Sequence, residues 1–129
     1  MRIEHVAYWT RDLELMKDFF VRYFGAQVGT RYENPAKGFE SYSLAFDSGA
    51  RIELMRRREV VEDSAPGLTP RTGLAHLAVS LGSEAAVDAL TTRLRGDGFE
   101  VVDGPRRTGD GYYESVVLDP DGNRLELTV

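Results

Sequence analysis

The sequence repeats itself, and that repeat constrains the fold more than any other feature. His5 and His76 lie 71 residues apart. The run Gly49-Ala50-Arg51-Ile52-Glu53-Leu54 resembles Gly122-Asn123-Arg124-Leu125-Glu126-Leu127 at an offset of 73, and Leu44 and Phe46 match Val116 and Leu118 at an offset of 72. A drift of two residues is what small loop insertions produce. A single matching pair would be chance, but strand, helix and closing hairpin recurring in one order is duplication.

Each copy reads as βαβββ. Residues Ile3 to Trp9 are rich in β-branched and aromatic types and predict a strand. Leu13, Met16, Phe20 and Phe24 then fall at helical spacing, with Asp12 as N-cap and Gly25 as the stop. Gln27 to Tyr32, Glu40 to Asp47 and Ala50 to Arg57 predict three more strands, the last two joined at Ser48-Gly49. In the second copy, Leu74 to Leu81 predicts a strand. Ser83 caps a helix with Val87, Leu90 and Leu94 on one face, ending near Gly96 and Gly98. Phe99 to Val102 predicts a short strand, Gly104 to Gly111 a loop that with Arg106 and Arg107 either covers a pocket or is an exposed turn, the preferred reading, and Tyr113 to Asp119 a strand. The turn Pro120-Asp121-Gly122 leads into a last strand, Arg124 to Val129. The expected organisation is one domain over residues 1–129, with module one at about 1–58, a linker at 59–73 and module two at 74–129.

Side chains alternate faces along a strand. Parity puts Ile3, His5, Ala7 and Trp9 on one face, and Arg51, Glu53, Met55 and Arg57 on one face opposite Ile52 and Leu54. It puts His76, Ala78 and Ser80 together, and Arg124, Glu126 and Thr128 opposite Leu125, Leu127 and Val129. The apolar faces are expected under the helices, which leaves His5, Glu53, His76 and Glu126 on the other side. Carboxylates there are costly unless paired. Two imidazoles and two carboxylates sharing one divalent cation remove that cost, and this N/O set suits Ni, Zn, Co, Fe or Mn. A lone strand histidine is usually a hydrogen-bonded structural residue, and a strand glutamate is usually solvated. Here the chain has only 2 histidines, and both fall at equivalent places in the repeat.

The remaining classes narrow by composition. A net charge of −5 argues against nucleic acid or an anionic membrane as partner, and the absence of cysteine excludes disulfides and thiolate zinc sites. No apolar run approaches the roughly 20 residues that span a bilayer, and the N-terminal segment lacks the apolar stretch of a signal peptide. A soluble, cytoplasmic protein is expected.

Three segments resemble the vicinal oxygen chelate superfamily, which includes glyoxalase I, methylmalonyl-CoA epimerase, extradiol dioxygenases and antibiotic-resistance proteins. They are Ile3-Glu4-His5-Val6-Ala7, Tyr42-Ser43-Leu44-Ala45-Phe46, and Asp119-Pro120-Asp121-Gly122-Asn123-Arg124-Leu125-Glu126-Leu127. The resemblance implies an α+β fold, with two tandem βαβββ modules forming a curved, barrel-like mixed sheet and helices outside. It also implies a homodimer whose metal sites often draw ligands from two chains. The His, Glu, His, Glu set is similar to that of glyoxalase I. This likeness implies a metal-dependent lyase or isomerase acting through a metal-bound enediolate on a 2-oxoaldehyde–thiol adduct or related small molecule. A glutamate would move the proton, with Glu126 preferred and Glu53 its counterpart.

Two departures bear on the substrate. The arginine that glyoxalase I carries four residues past the first ligand histidine is Trp9 here, and an expected asparagine is Arg57. Trp9 offers an apolar wall or fills core; Arg57 grips an anion or is a solvated strand end. Met55 and Tyr113 complete the expected substrate-binding set, and Tyr42 and Tyr112 are further stacking candidates. The alternatives are a non-catalytic small-molecule or antibiotic-binding (resistance) protein, and an acyl-thioester epimerase or dioxygenase of the same superfamily. Glu53 argues against the last two, since the epimerase carries glutamine there and the dioxygenases use three ligands.

Overall fold

Both helices form where the local chemistry starts and stops them. Asp12 is extended and its side chain accepts the Leu15 N–H at 3.0 Å, opening α1 (Leu13–Phe24), which Gly25 ends at φ 65°. Ser83 does the same for the Ala86 N–H at 3.2 Å, opening α2 (Glu84–Gly96). The computed structural model describes residues 1–61, 70 and 72–129, so residues 62–69 and 71 of the expected linker lie outside the described residues.

Backbone contacts divide the chain into two compact units, Met1–Asp63 and Ser64–Val129. The first unit holds β1 (His5–Trp9), α1, β2 (Gln27–Val28), β3 (Tyr32–Asn34), a 3-10 turn (Pro35–Lys37), β4 (Phe39–Ala45) and β5 (Arg51–Arg56). Its sheet runs β1-β5-β4-β2, with β3 also pairing to β4. The second unit holds β6 (Leu77–Ser80), α2, β7 (Val101–Arg107), β8 (Tyr113–Leu118) and β9 (Arg124–Thr128), in the order β6-β9-β8-β7. In each unit the first strand pairs in parallel with the last, and the last two strands are antiparallel.

The cores follow the expected parity. Leu44, Ile52 and Leu54 are buried with Met16, Phe19 and Phe20 of α1; Val117, Leu125 and Leu127 are buried with Val87 and Leu94 of α2. The second core also carries a polar pair. Thr91 donates to the Val87 carbonyl at 2.6 Å, and its oxygen lies 2.6 Å from the Ser115 hydroxyl, tying α2 to β8 with both groups satisfied.

The ladders correct three expectations. The strand expected over Gln27 to Tyr32 is two short strands: after Val28 the Gly29 N–H makes one more bond to the Ser43 carbonyl of β4 at 2.8 Å, and regular pairing resumes at Tyr32. Gly104 to Gly111 is not one loop: β7 runs to Arg107, with register shifts around Gly104-Pro105, and only a tight turn follows. Proline cannot donate to a ladder, so β7 holds it as an edge strand at a bulge. Finally, Leu44 lies opposite Ile52 and Val117 opposite Leu125. The match of Leu44 is therefore Val117 at an offset of 73, rather than Val116, and the two-residue drift lies earlier in the unit.

The Asp119–Asn123 turn shows why its sequence is so recognisable. Buried Asp119 accepts the backbone N–H groups of Asp121 and Asn123 and the Asn123 side-chain amide, each at 2.9 Å. Gly122 sits at φ 83°. Burial raises the Asp119 carboxyl, and the three donors oppose that rise. Replacing Asp119 with Ala strands three donors and is expected to cost about 2 kcal/mol, read as a lower urea midpoint with unchanged slope.

Candidate functional site

The parallel ladders put the repeat's chemistry in equivalent places. Ala7 is in register with Glu53, and Ala78 with Glu126. In both units the histidine lies two residues before that alanine, and the two same-face side chains meet on the diagonal. His5 Nε2 is 3.7 Å from Glu53 Oε2, and His76 Nε2 is 3.6 Å from Glu126 Oε2. His76 stands one residue before β6 begins, yet keeps the geometry of its counterpart.

The structure therefore brings the four residues together two by two. Among the described residues, no group of three or more His, Asp or Glu side chains is clustered for a metal ion. The pair distances are too long for hydrogen bonds. They are close to the spacing of two donors on a single cation, about 3–3.5 Å for bonds of about 2.1 Å. Neutral imidazole nitrogen and carboxylate oxygen are also the donor types that divalent first-row metals take. The residues fit half a metal site in each unit.

Beside these pairs the two sheets differ. Next to Glu53, the row Trp9–Met55–Ser41–Tyr32 crosses four strands in register on the same face. Phe39 joins it, edge-on to Trp9 at 6.2 Å and tilted to Tyr32 at 6.0 Å. Trp9 is 45% exposed and Tyr32 55%, while Ser41 is buried beneath them. The corresponding row next to Glu126 is Ser80–Thr128–Glu114–Arg106. Arg106 donates to Asp103 at 2.8 Å and stands 3.9 Å from Glu114. Burial, and after it the Glu126 charge, raises the Glu114 carboxyl. One unit thus offers an aromatic shelf and the other a polar, charged row.

Of the expected substrate-binding residues, Trp9 and Met55 lie on this shelf. Arg57 lies past the end of β5, exposed, 3.9 Å from Glu59. Tyr113 is turned to the helix side: its hydroxyl donates to Asp88 of α2 at 2.7 Å, and Arg107 covers its ring. The register explains this, because Val116 and Glu114 share the Glu126 face and Tyr113 has the opposite parity. Tyr42 likewise donates to Glu14 of α1 at 2.9 Å. Sequence reasoning missed Tyr32, Phe39 and Glu114. The signal was available for Glu114 once strands were counted back from the Asp119 turn, but Tyr32 and Phe39 needed the pairing of β3 with β4.

Comparison with known proteins agrees with this architecture. The sequence profile of the Glyoxalase/Bleomycin resistance protein/Dioxygenase superfamily matches residues 2–127. The uncharacterized protein YqjT of Bacillus subtilis (strain 168) is 30% identical, over 97% of this chain and 96% of its own. A glyoxylase/bleomycin resistance protein/dioxygenase domain from Frankia sp. EAN1pec superposes with a TM-score of 0.83 at 20% identity, covering 100% of this chain and 97% of that one. A glyoxalase I mutant from Zea mays superposes with a TM-score of 0.80 at 21% identity; the match covers 98% of this chain but only 44% of the maize chain. No helix among the described residues is long and apolar enough to cross a membrane. With its duplicated βαβββ units and its α+β sheets, this chain belongs to the Glyoxalase/Bleomycin resistance protein/Dioxygenase superfamily, and its fold is the vicinal oxygen chelate fold.

Proposed function

We propose that this protein is a divalent-metal-dependent lyase or isomerase of glyoxalase I type, with His5, Glu53, His76 and Glu126 as the metal donors. The observation that carries the reading is the equal spacing of the two His–Glu pairs, 3.7 and 3.6 Å, at equivalent ladder positions. Ni, Zn, Co, Fe or Mn all suit this donor set. When bound, such a cation supplies Lewis acidity that lowers the barrier to removing a proton next to a carbonyl. Glu126 takes the proton from one carbon and returns it to its neighbour, and Glu53 is its counterpart. Trp9 and Met55, with Tyr32 and Phe39, hold the apolar part of a 2-oxoaldehyde–thiol adduct or related small molecule. The protein works as a homodimer in the cytoplasm.

Elemental analysis of untagged protein is expected to find about one ion per chain, and chelation to stop turnover of methylglyoxal with a thiol until metal is restored. Metal-loaded protein that turns over neither glutathione nor other cellular thiol adducts would overturn the assignment. The exposed shelf favours one second reading, a non-catalytic protein that sequesters an aromatic compound. That protein would bind its ligand equally well after chelation.

Trp9 is the chain's 1 tryptophan, so its fluorescence reports the shelf directly. Trp9→Ala is expected to raise KM about tenfold while kcat and metal content stay unchanged, because the ring contributes binding rather than donors. A fall in kcat alone would place Trp9 elsewhere in the reaction.

A further inference from the structure

The two His–Glu pairs are alike in spacing but not in support. The backbone carbonyl of Glu4 accepts the Arg51 N–H at 3.0 Å, so Glu4 is fixed beside β5 although it precedes β1. Its carboxylate contacts His5 Nδ1 on one oxygen and Arg51 Nη2 on the other. Arg51 donates in turn to the Ser43 hydroxyl at 3.1 Å. The ion pair with the Arg51 guanidinium holds Glu4 as a carboxylate. An ionised carboxylate is an acceptor only, so Nδ1 must carry the proton. In a neutral imidazole the lone pair then sits on Nε2, the nitrogen 3.7 Å from Glu53. Among the described residues of the second unit, no carboxylate is hydrogen-bonded to His76 in this way. The residue before His76 is Ala75, and Val116 stands opposite Glu126 where Ser43 stands opposite Glu53.

We propose that Glu4, braced by Arg51, is a positioning residue that fixes the His5 tautomer and presents Nε2 as a ready-made metal donor, making the first half-site the better organised of the two. The assignment of His5 as a ligand rests on the metal reading above; the tautomer does not. Carboxylates behind a ligating imidazole act this way in general: they set the ring's orientation and strengthen its free nitrogen, and their loss costs about 10–100-fold in metal affinity.

The test uses the full chain and two measurements. Its 2 histidines give only two imidazole spin systems, separable by a His76→Gln variant. In metal-free protein, above the pH where the rings titrate, nitrogen-15 spectra are expected to show His5 protonated at Nδ1. In Glu4→Ala that ring becomes a mixture of tautomers, while Glu4→Gln, which keeps an acceptor oxygen, retains the Nδ1 proton. Calorimetric titration with Co2+ is expected to show affinity falling about 10–100-fold in Glu4→Ala and largely rescued in Glu4→Gln. An unchanged His5 tautomer in Glu4→Ala, or unchanged Co2+ affinity, overturns the proposal. Wild-type protein that takes up no Co2+ while the tautomer still responds to Glu4 sinks the metal reading and leaves the role of Glu4 in orienting the ring intact. Glu4 is exposed, so both variants are expected to fold.

Discussion

His76→Ala is expected to abolish stoichiometric metal uptake and to reduce turnover by at least about 10^3-fold, the scale of losing a Lewis acid worth several kcal/mol. The size follows from the pairing. His76 Nε2 faces Glu126 Oε2 at 3.6 Å, and the chain's one other histidine, His5, belongs to the first pair, so the second has no replacement nitrogen donor of this kind. His76 is exposed, with 43% of its side chain open to solvent, so the fold is expected to survive; an unchanged thermal midpoint separates lost chemistry from lost structure. His5→Ala is expected to do the same from the first unit. Metal content by mass spectrometry together with turnover decides the matter. A His76→Ala protein that keeps its metal and activity would remove the second unit from the site altogether.

The largest stability effect is expected at a glycine. Gly104 lies at φ 75° in β7, where the register shifts against β8. A Cβ there would stand 2.5 Å from the Glu114 carbonyl oxygen and 2.9 Å from the Ser115 Cα, and both are backbone atoms of a central strand. They cannot swing aside as a side-chain tip would. Left-handed strain adds to the overlap, so Gly104→Ala is expected to cost about 3–4 kcal/mol. For a chain of this size that lowers the melting midpoint by about 10–15 °C. Gly109, in the turn that follows, has nothing within 4 Å of its would-be Cβ, and Gly109→Ala is expected to shift stability by less than about 0.5 kcal/mol. Equal losses for the two variants would show that the close approach at Gly104 relaxes freely.

Much of this was legible because a duplicated sequence checks itself. Asp12 and Ser83 marked helix starts through side-chain oxygens that cap the first turns, and strand parity separated Ile52 and Leu54 from Glu53 without any coordinates. What parity does not give is the register between strands. Tyr113 was expected near the substrate because its strand could not be phased against β9; once Val116 is set opposite Glu126, its ring belongs to the helix side. The same missing information placed Leu44 against Val116 instead of Val117. Glycine and proline concealed the rest, since Gly104-Pro105 reads as a loop in sequence while the chain absorbs it as a bulge in an edge strand.

The neighbouring rows also bear on how such a protein changes over generations. Rungs alternate along one ladder, so the Ala7–Glu53 level and the Trp9–Met55 level share a surface but not their atoms. A lineage is therefore free to trade tryptophan, methionine or tyrosine for other side chains, while the His5–Arg51 and Ala7–Glu53 rungs keep the imidazole and the carboxylate. Because the second copy already carries serine, threonine, glutamate and arginine at its matching level, the duplicated halves have diverged there in side-chain chemistry while their backbone ladders stayed alike.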